Sequence, residues 1–84
     1  MTSYNTRDKY IEDSITGEVI KIISEGEFVL KSNGYLYWCI IQGKDITPPV
    51  VGEERTYHGL VELYFPHDKK YPIEMLVRDY RRMM

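Results

Sequence analysis

Hydrophobic residues along the chain group into five short extended segments. The segments cover residues 15–23, 27–31, 35–42, 55–65 and 72–80. They are rich in β-branched and aromatic residues, which are typical of strands. In the first segment the alternation of apolar and polar residues breaks at Val19-Ile20 and again at Ile22-Ile23. A strand that kinks and contacts two faces of a curled sheet gives such breaks, so the pattern predicts five strands with a bend in the first.

Turn sequences separate these segments. Ser-Glu-Gly at 24–26 is a turn signal, and Asn33-Gly34 is the strongest short hairpin signal. Residues 43–52 contain two prolines and no helical period, which predicts a loop that crosses the structure. Gly59 interrupts the fourth segment and predicts a bulge or a close backbone approach. Residues 66–70 form the last predicted turn.

The first 14 residues are polar and charged and have no clear period. They are predicted to be a tail or to contain a short helix over 5–13, and residues 15–84 are predicted to form one domain. Five short strands cannot shield both faces of an open sheet, whereas a small barrel removes the exposed edges. We therefore predict an all-β, five-stranded small barrel that follows a polar N-terminal segment.

Several short motifs resemble those of the OB-fold. They are Gly17-Glu18-Val19, Phe28-Val29-Leu30, Trp38-Cys39-Ile40, Val51-Gly52-Glu53 and Gly59-Leu60-Val61. The resemblance covers about residues 15–80 and is greatest to the anticodon-binding-like type found in tRNA synthetases, the replication protein A family and the nuclease exonuclease seven. It implies that strands two and three and the adjoining loops bind single-stranded nucleic acid. Residues 43–52 depart from this resemblance. Many OB-folds have a helix between strands three and four, whereas these residues contain two prolines and have no helical period.

The charge balance limits this interpretation. The chain has 11 Lys and Arg against 13 Asp and Glu, a net charge of −2. Nucleic-acid binding without sequence preference depends on neutralising phosphates, so an acidic chain is a poor generic polyanion binder. The distribution is uneven, since residues 66–84 carry five basic and three acidic side chains. A basic surface must therefore come mostly from the C-terminal third.

The aromatic content favours a binding surface. Eight tyrosines, one tryptophan and two phenylalanines are more rings than so small a core can bury. In the third segment Tyr35 and Tyr37 alternate with Trp38, so whichever side faces outward presents a ring. Each base stacked on such a ring contributes about 1–3 kcal/mol. The alternative is that these rings pack the barrel.

Basic residues near the third segment complete the predicted site. Lys31 lies in the second segment, the loop before the fifth segment carries two lysines and a tyrosine, and Arg78 should point outward from the fifth strand. The predicted nucleic-acid-binding residues are Lys31, Tyr35, Tyr37, Trp38, Lys69, Lys70, Tyr71 and Arg78. The alternative for the basic C-terminal end is a solvated surface.

Catalysis is not expected. Cys39 and His58 could form a nucleophile and base, but Cys39 lies in an apolar strand, where a thiol is usually inert. Two histidines and one cysteine are too few for a zinc site, and one cysteine cannot form an internal disulfide. We expect no metal and no cofactor.

The sequence contains neither an apolar leader nor a membrane-spanning apolar run, so a cytoplasmic location away from membranes is expected. Two other functions remain open. The same barrel face could serve a protein-interaction module or accessory subunit, including a homodimer, which suits the acidic charge and the surplus of tyrosine. An SH3-like barrel adaptor would keep the fold class and change the strand order.

Overall fold

The computed structural model of the chain describes residues 10–43, 46–62 and 72–82. These residues form five strands and no helix, which confirms the predicted all-β class. The strands are β1 (Tyr10–Ser24), β2 (Glu27–Ser32), β3 (Tyr35–Ile41), β4 (Glu54–Glu62) and β5 (Ile73–Arg82).

The strands close into a ring in the order β1-β2-β3-β5-β4, with β4 pairing back onto β1. β1, β2 and β3 form an antiparallel meander. β5 then inserts between β3 and β4, parallel to β3 and antiparallel to β4. This arrangement is a closed, barrel-like ring of five strands.

β1 is long because it serves both sides of the ring. Its first part pairs with β4 from Tyr10 to Glu18, and its second part pairs with β2 from Glu18 to Ser24. The register shifts at Ile20 and at Ile23. These are the two positions at which the apolar alternation breaks in the sequence, so the predicted bend is confirmed.

The start of β1 differs from the sequence prediction. The strand begins at Tyr10, whereas the first segment was predicted from residue 15, and residues 10–13 are therefore not helical. Residues 11–14 are exposed, so their sequence lacks the apolar alternation by which a half-buried strand is recognised. The rest of the predicted tail or helix, residues 1–9, lies outside the described residues.

Two predicted backbone features are confirmed. Asn33 and Gly34 both have positive φ, at 52° and 84°, as a two-residue hairpin of the I′ kind requires. At Gly59 the β4–β5 register shifts, and a Cβ there would lie 2.0 Å from the carbonyl oxygen of Leu76. Only glycine allows the backbones to come this close.

Among the residues whose burial is described, the interior of the barrel is apolar apart from the Arg55 side chain. The core consists of Val19, Phe28, Leu30, Tyr37, Cys39, Tyr57, Val61, Ile73, Met75 and Val77. The Phe28 and Tyr57 rings pack at a centroid distance of 4.9 Å with tilted planes.

Arg55 is buried at the start of β4 and holds the preceding loop against the barrel. Its Nη1 donates to the carbonyl oxygens of Thr47 and Pro48 at 3.2 and 3.0 Å. Its Nη2 donates to the Glu53 carboxylate at 2.8 Å. A buried guanidinium needs such partners to offset its desolvation. Residues 46–52 of the predicted loop over 43–52 are therefore held against the barrel, and they form no helix.

Candidate nucleic-acid interface

The side chains of β3 alternate between the interior and the outer wall. Tyr37 is 9% exposed and Cys39 is fully buried, whereas Trp38 points outward and is 37% exposed. Tyr35 lies on the same side of the strand as Tyr37 and packs against the core. The side of β3 that carries Tyr35 and Tyr37 therefore faces the interior, and these two rings are not stacking surfaces on the outer wall. Trp38 is the aromatic platform that β3 presents.

The hairpin between β2 and β3 sets this orientation. The two-residue turn places Leu30 opposite Tyr37 and Val29 opposite Trp38. Residues directly opposite each other in a sheet point to the same side. Leu30 is fully buried, so Tyr37, which lies opposite it, also points into the core. Trp38 lies opposite Val29, and both point outward.

Outward side chains of β2 and β3 surround the indole ring. We call this surface the Trp38 face, and its members are Val29, Lys31, Leu36, Trp38 and Ile40. Lys31 is exposed and lies opposite Leu36, diagonally across from Trp38, a position about 7–8 Å away in an antiparallel pair. The three aliphatic side chains are half-buried. The face thus combines a ring, apolar surface and one cation.

The two carboxylates beside the Trp38 ring, Glu27 and Glu74, are both hydrogen-bonded. Glu27 accepts a hydrogen bond from the indole Nε1 of Trp38 at 2.9 Å, which restrains the ring. Glu74 lies beside Trp38 on β5 and accepts a hydrogen bond from the hydroxyl of Tyr10. That hydrogen bond is the main reason why the pKa of Tyr10 is raised to about 12, with burial adding to it.

Lys31 forms no ion pair among the residues that the structure describes, although Glu18 lies opposite it in the β1–β2 pairing. The ion pairs within this part of the chain are Arg55 with Glu53 and His58 with Glu12. The Lys31 ammonium is therefore available to an anionic ligand beside the ring. Phosphate oxygens are common partners of such a cation.

The structure places Arg78, another residue of the predicted site, away from Trp38. Arg78 is exposed on β5, four residues from Glu74, which corresponds to about 13 Å along the strand. Lys69, Lys70 and Tyr71 lie outside the described residues. The structure therefore brings together Lys31 and Trp38 from the predicted set and adds Val29, Leu36 and Ile40 to them.

No family model, curated protein or solved structure matches this chain. The chemistry of the Trp38 face is therefore the basis for inferring a ligand. A partly exposed indole, an exposed lysine and an aliphatic border suit a ligand that carries both flat rings and negative charge.

The thiol of Cys39 is sealed inside the barrel. Burial raises its pKa to about 12, and its sulfur lies 3.6 Å from the carbonyl oxygen of Tyr37. His58 lies on β4 with an exposed side chain, so Cys39 and His58 do not form a nucleophile–base pair. A thiol that stays protonated and inaccessible is a poor nucleophile.

This burial predicts slow thiol chemistry. In the native protein at mildly alkaline pH, Cys39 should remain unreacted with DTNB, and unfolding in guanidinium should release one thiol per chain. The absorbance of the released thionitrobenzoate measures both. Complete reaction of the folded protein within seconds would contradict the interior position of Cys39.

A second polar cluster lies on the outer wall where β1 and β4 pair. Ser14 Oγ lies 2.7 Å from Nδ1 of His58, and Nε2 of His58 lies 3.8 Å from the Glu12 carboxylate. These residue types also form hydrolytic triads. Here they lie on an exposed strand surface, and the backbone that carries them pairs in the β1–β4 ladder. The hydrogen bond of this cluster is a cross-strand contact.

Across residues 10–43, 46–62 and 72–82, no group of three or more His, Cys, Asp or Glu side chains is arranged to hold a metal ion. None of these ranges contains a helix of the length and hydropathy needed to cross a membrane.

Proposed function

We propose that this barrel is a binding module for single-stranded nucleic acid and that the Trp38 face is its ligand surface. The observation that carries the proposal is the outward, 37% exposed indole of Trp38 next to Lys31, a cation that forms no ion pair in the described ranges. A stacking ring beside a lysine is the basic unit of single-strand recognition.

Stacking supplies most of the affinity. A base laid on the Trp38 ring contributes about 1–3 kcal/mol, whatever its identity, because every base has a π face. Val29, Leu36 and Ile40 border the ring and offer apolar contact to the edges of the base and the sugar. The hydrogen bond to Glu27 restrains the ring before the ligand arrives, which reduces the entropy lost on binding.

Lys31 contacts a phosphate next to the stacked base. Glu27 and Glu74 also flank the ring, so the local potential is mixed and the affinity is modest. The resulting ligand class is a single strand bound with little sequence preference. Arg78 and the loop that contains Lys69, Lys70 and Tyr71 remain predicted as additional contacts.

The salt dependence of binding tests the role of Lys31. Fluorescence anisotropy of a labelled oligo-dT or oligo-U strand should show an affinity that falls linearly on a log–log plot against salt concentration. Each phosphate contact to a single strand contributes about 0.7 to that slope. Lys31→Gln should therefore reduce the slope by about 0.7, whereas Lys31→Arg should leave it unchanged.

Two results would refute the proposal. One is that neither strand binds at low salt. The other is that Lys31→Gln binds with the same affinity and slope as the unaltered protein, because the lysine would then make no phosphate contact.

A protein partner is the second candidate function, favoured by the extent of the apolar surface. Ile40 of the Trp38 face pairs laterally with Leu76 of β5, and Leu76 pairs with Leu60 of β4. These outward side chains are half-buried and continue the face across three strands, as in the apolar centre of a protein interface. A protein partner would be favoured if oligonucleotides do not quench Trp38 fluorescence and if the Lys31→Gln substitution leaves oligonucleotide affinity unchanged.

A further inference from the structure

The first register shift of β1 turns a lysine onto the outer wall of the barrel. In regular alternation Lys21 would point to the same side as Val19, which is fully buried. The shift between these two residues inserts Ile20 as an extra residue, so that Lys21 aligns with Val29 of β2. Residues directly opposite each other point to the same side, so Lys21 points outward with Val29. Bulges of this kind commonly re-aim a side chain next to a functional site.

Lys21 borders the Trp38 face. Val29 lies between Lys21 on β1 and Trp38 on β3, so the three residues form one row across three strands. Neighbouring strands lie about 4.8 Å apart, which places the backbone of Lys21 about 10 Å from that of Trp38. Lys21 and Lys31 are diagonal neighbours in the β1–β2 pair, a separation of about 7–8 Å. Both lysines are exposed and reach the ring from the side of β1 and β2.

We propose that Lys21 is a second phosphate contact of the Trp38 face, an inference that rests on the proposed function. Lys21 forms no ion pair within the part of the chain that the structure describes. The long, flexible side chains of Lys21 and Lys31 each reach one of the two phosphates that flank the stacked nucleotide. The sugar–phosphate backbone then runs over β2, and the base extends across Trp38 toward β5. The ligand unit is an internal nucleotide with a phosphate on each side.

The acidic side chains nearby explain why a second lysine matters. Glu18 lies opposite Lys31, and the Glu27 carboxylate accepts the hydrogen bond from the indole of Trp38. A single lysine among these carboxylates attracts a phosphate weakly. Two lysines that hold successive phosphates of one strand act together, because the first contact raises the effective concentration of the second phosphate.

Salt titrations of oligo-dT binding by fluorescence anisotropy test the role of Lys21. Lys21→Gln should lower the log–log slope by about 0.7, and the double variant with Lys31→Gln should lower it by about 1.4, because each single-strand phosphate contact contributes about 0.7. Lys21→Arg should keep the slope. Ser14→Asp is the matched control, since it makes the same change in net charge at an exposed position of β1 that pairs with β4. It should leave the slope unchanged.

Neutral linkages test the ligand unit. In a thymidine trinucleotide two phosphates flank the central base. A methylphosphonate in place of either phosphate should weaken binding to the unaltered protein about two- to fivefold, as expected for the loss of one exposed charge pair. Lys21→Gln should be insensitive to one of the two replacements and Lys31→Gln to the other.

The possible results separate this inference from the proposed function. A slope that falls with Lys31→Gln and not with Lys21→Gln overturns the second contact and leaves the Trp38 face as the ligand surface. Equal falls with Ser14→Asp and Lys21→Gln also overturn it, because the effect then follows net charge and not position. Two lysine variants that respond alike to both methylphosphonates overturn the assignment of one phosphate to each lysine. Failure of every strand to bind at low salt overturns the proposed function itself.

Discussion

Replacing Trp38 with alanine should weaken the binding of a single-stranded oligonucleotide by about 5- to 150-fold. This range corresponds to the roughly 1–3 kcal/mol lost when a base has no ring on which to stack. The barrel should stay folded, because Trp38 lies on the outer wall and fills no part of the core. Anisotropy titrations measure the affinity, and urea unfolding followed by circular dichroism measures the free energy of unfolding.

Trp38→Phe is the matched control. Phenylalanine keeps a flat ring at the same position and should retain most of the affinity, although it loses the hydrogen bond to Glu27. If Trp38→Ala instead lowers the free energy of unfolding by about 3–5 kcal/mol, the ring belongs to the core. Unchanged oligonucleotide affinity in a folded Trp38→Ala protein would refute the platform.

Gly59→Ala should have the largest effect on stability of the substitutions considered. The new Cβ would lie 2.0 Å from the carbonyl oxygen and 2.9 Å from the carbonyl carbon of Leu76. These are backbone atoms of β5, so no side-chain rotation relieves the clash and the β4–β5 bulge must open. Forcing an extra carbon into packed structure costs about 1–3 kcal/mol, and more where the neighbours cannot move. We expect a loss of about 3 kcal/mol or more in urea unfolding.

Gly26→Ala provides the comparison for this substitution. Gly26 lies in the turn after β1, its φ is not positive, and a Cβ there has nothing within 4 Å. The same chemical change should therefore alter the free energy of unfolding by less than about 1 kcal/mol. Equal unfolding midpoints for the two alanine variants would show that β4 and β5 do not approach each other as described.

The strands and the bend in β1 could be predicted because each leaves a local trace in the sequence. Asn33-Gly34 fixes a hairpin through its positive φ angles, and the breaks at Ile20 and Ile23 mark where the register shifts. The start of β1 leaves no such trace. Residues 11–14 gain their strand conformation from pairing with β4, a contact that is distant in sequence.

The orientation of β3 was left open because both of its sides are apolar. The sequence of β3 alone does not show whether Tyr37 or Trp38 is the buried residue. The hairpin register resolves the choice, since a two-residue turn places Tyr37 opposite Leu30. The alternation of β2 between Phe28, Leu30 and the charged residues around them was therefore the signal that could have placed Trp38 outside.

The burial of Arg55 could not be predicted from the sequence patterns. A charged residue in a strand is ordinarily expected to face solvent. Arg55 is buried because the crossing loop returns to it with the carbonyl oxygens of Thr47 and Pro48. Only the three-dimensional path of that loop supplies these partners.

Proton–nitrogen correlation NMR with a single-stranded oligonucleotide tests the Trp38 face directly. Trp38 is the only tryptophan, so its indole N–H gives one unambiguous signal. We expect that signal to shift on titration together with the backbone amides of Val29, Lys31 and Leu36, while those of the β1–β4 pairing around Ser14 stay in place. The opposite result would contradict the assignment of the ligand surface: at saturating oligonucleotide, the amide signals of the β1–β4 pairing shift and the indole signal stays unchanged.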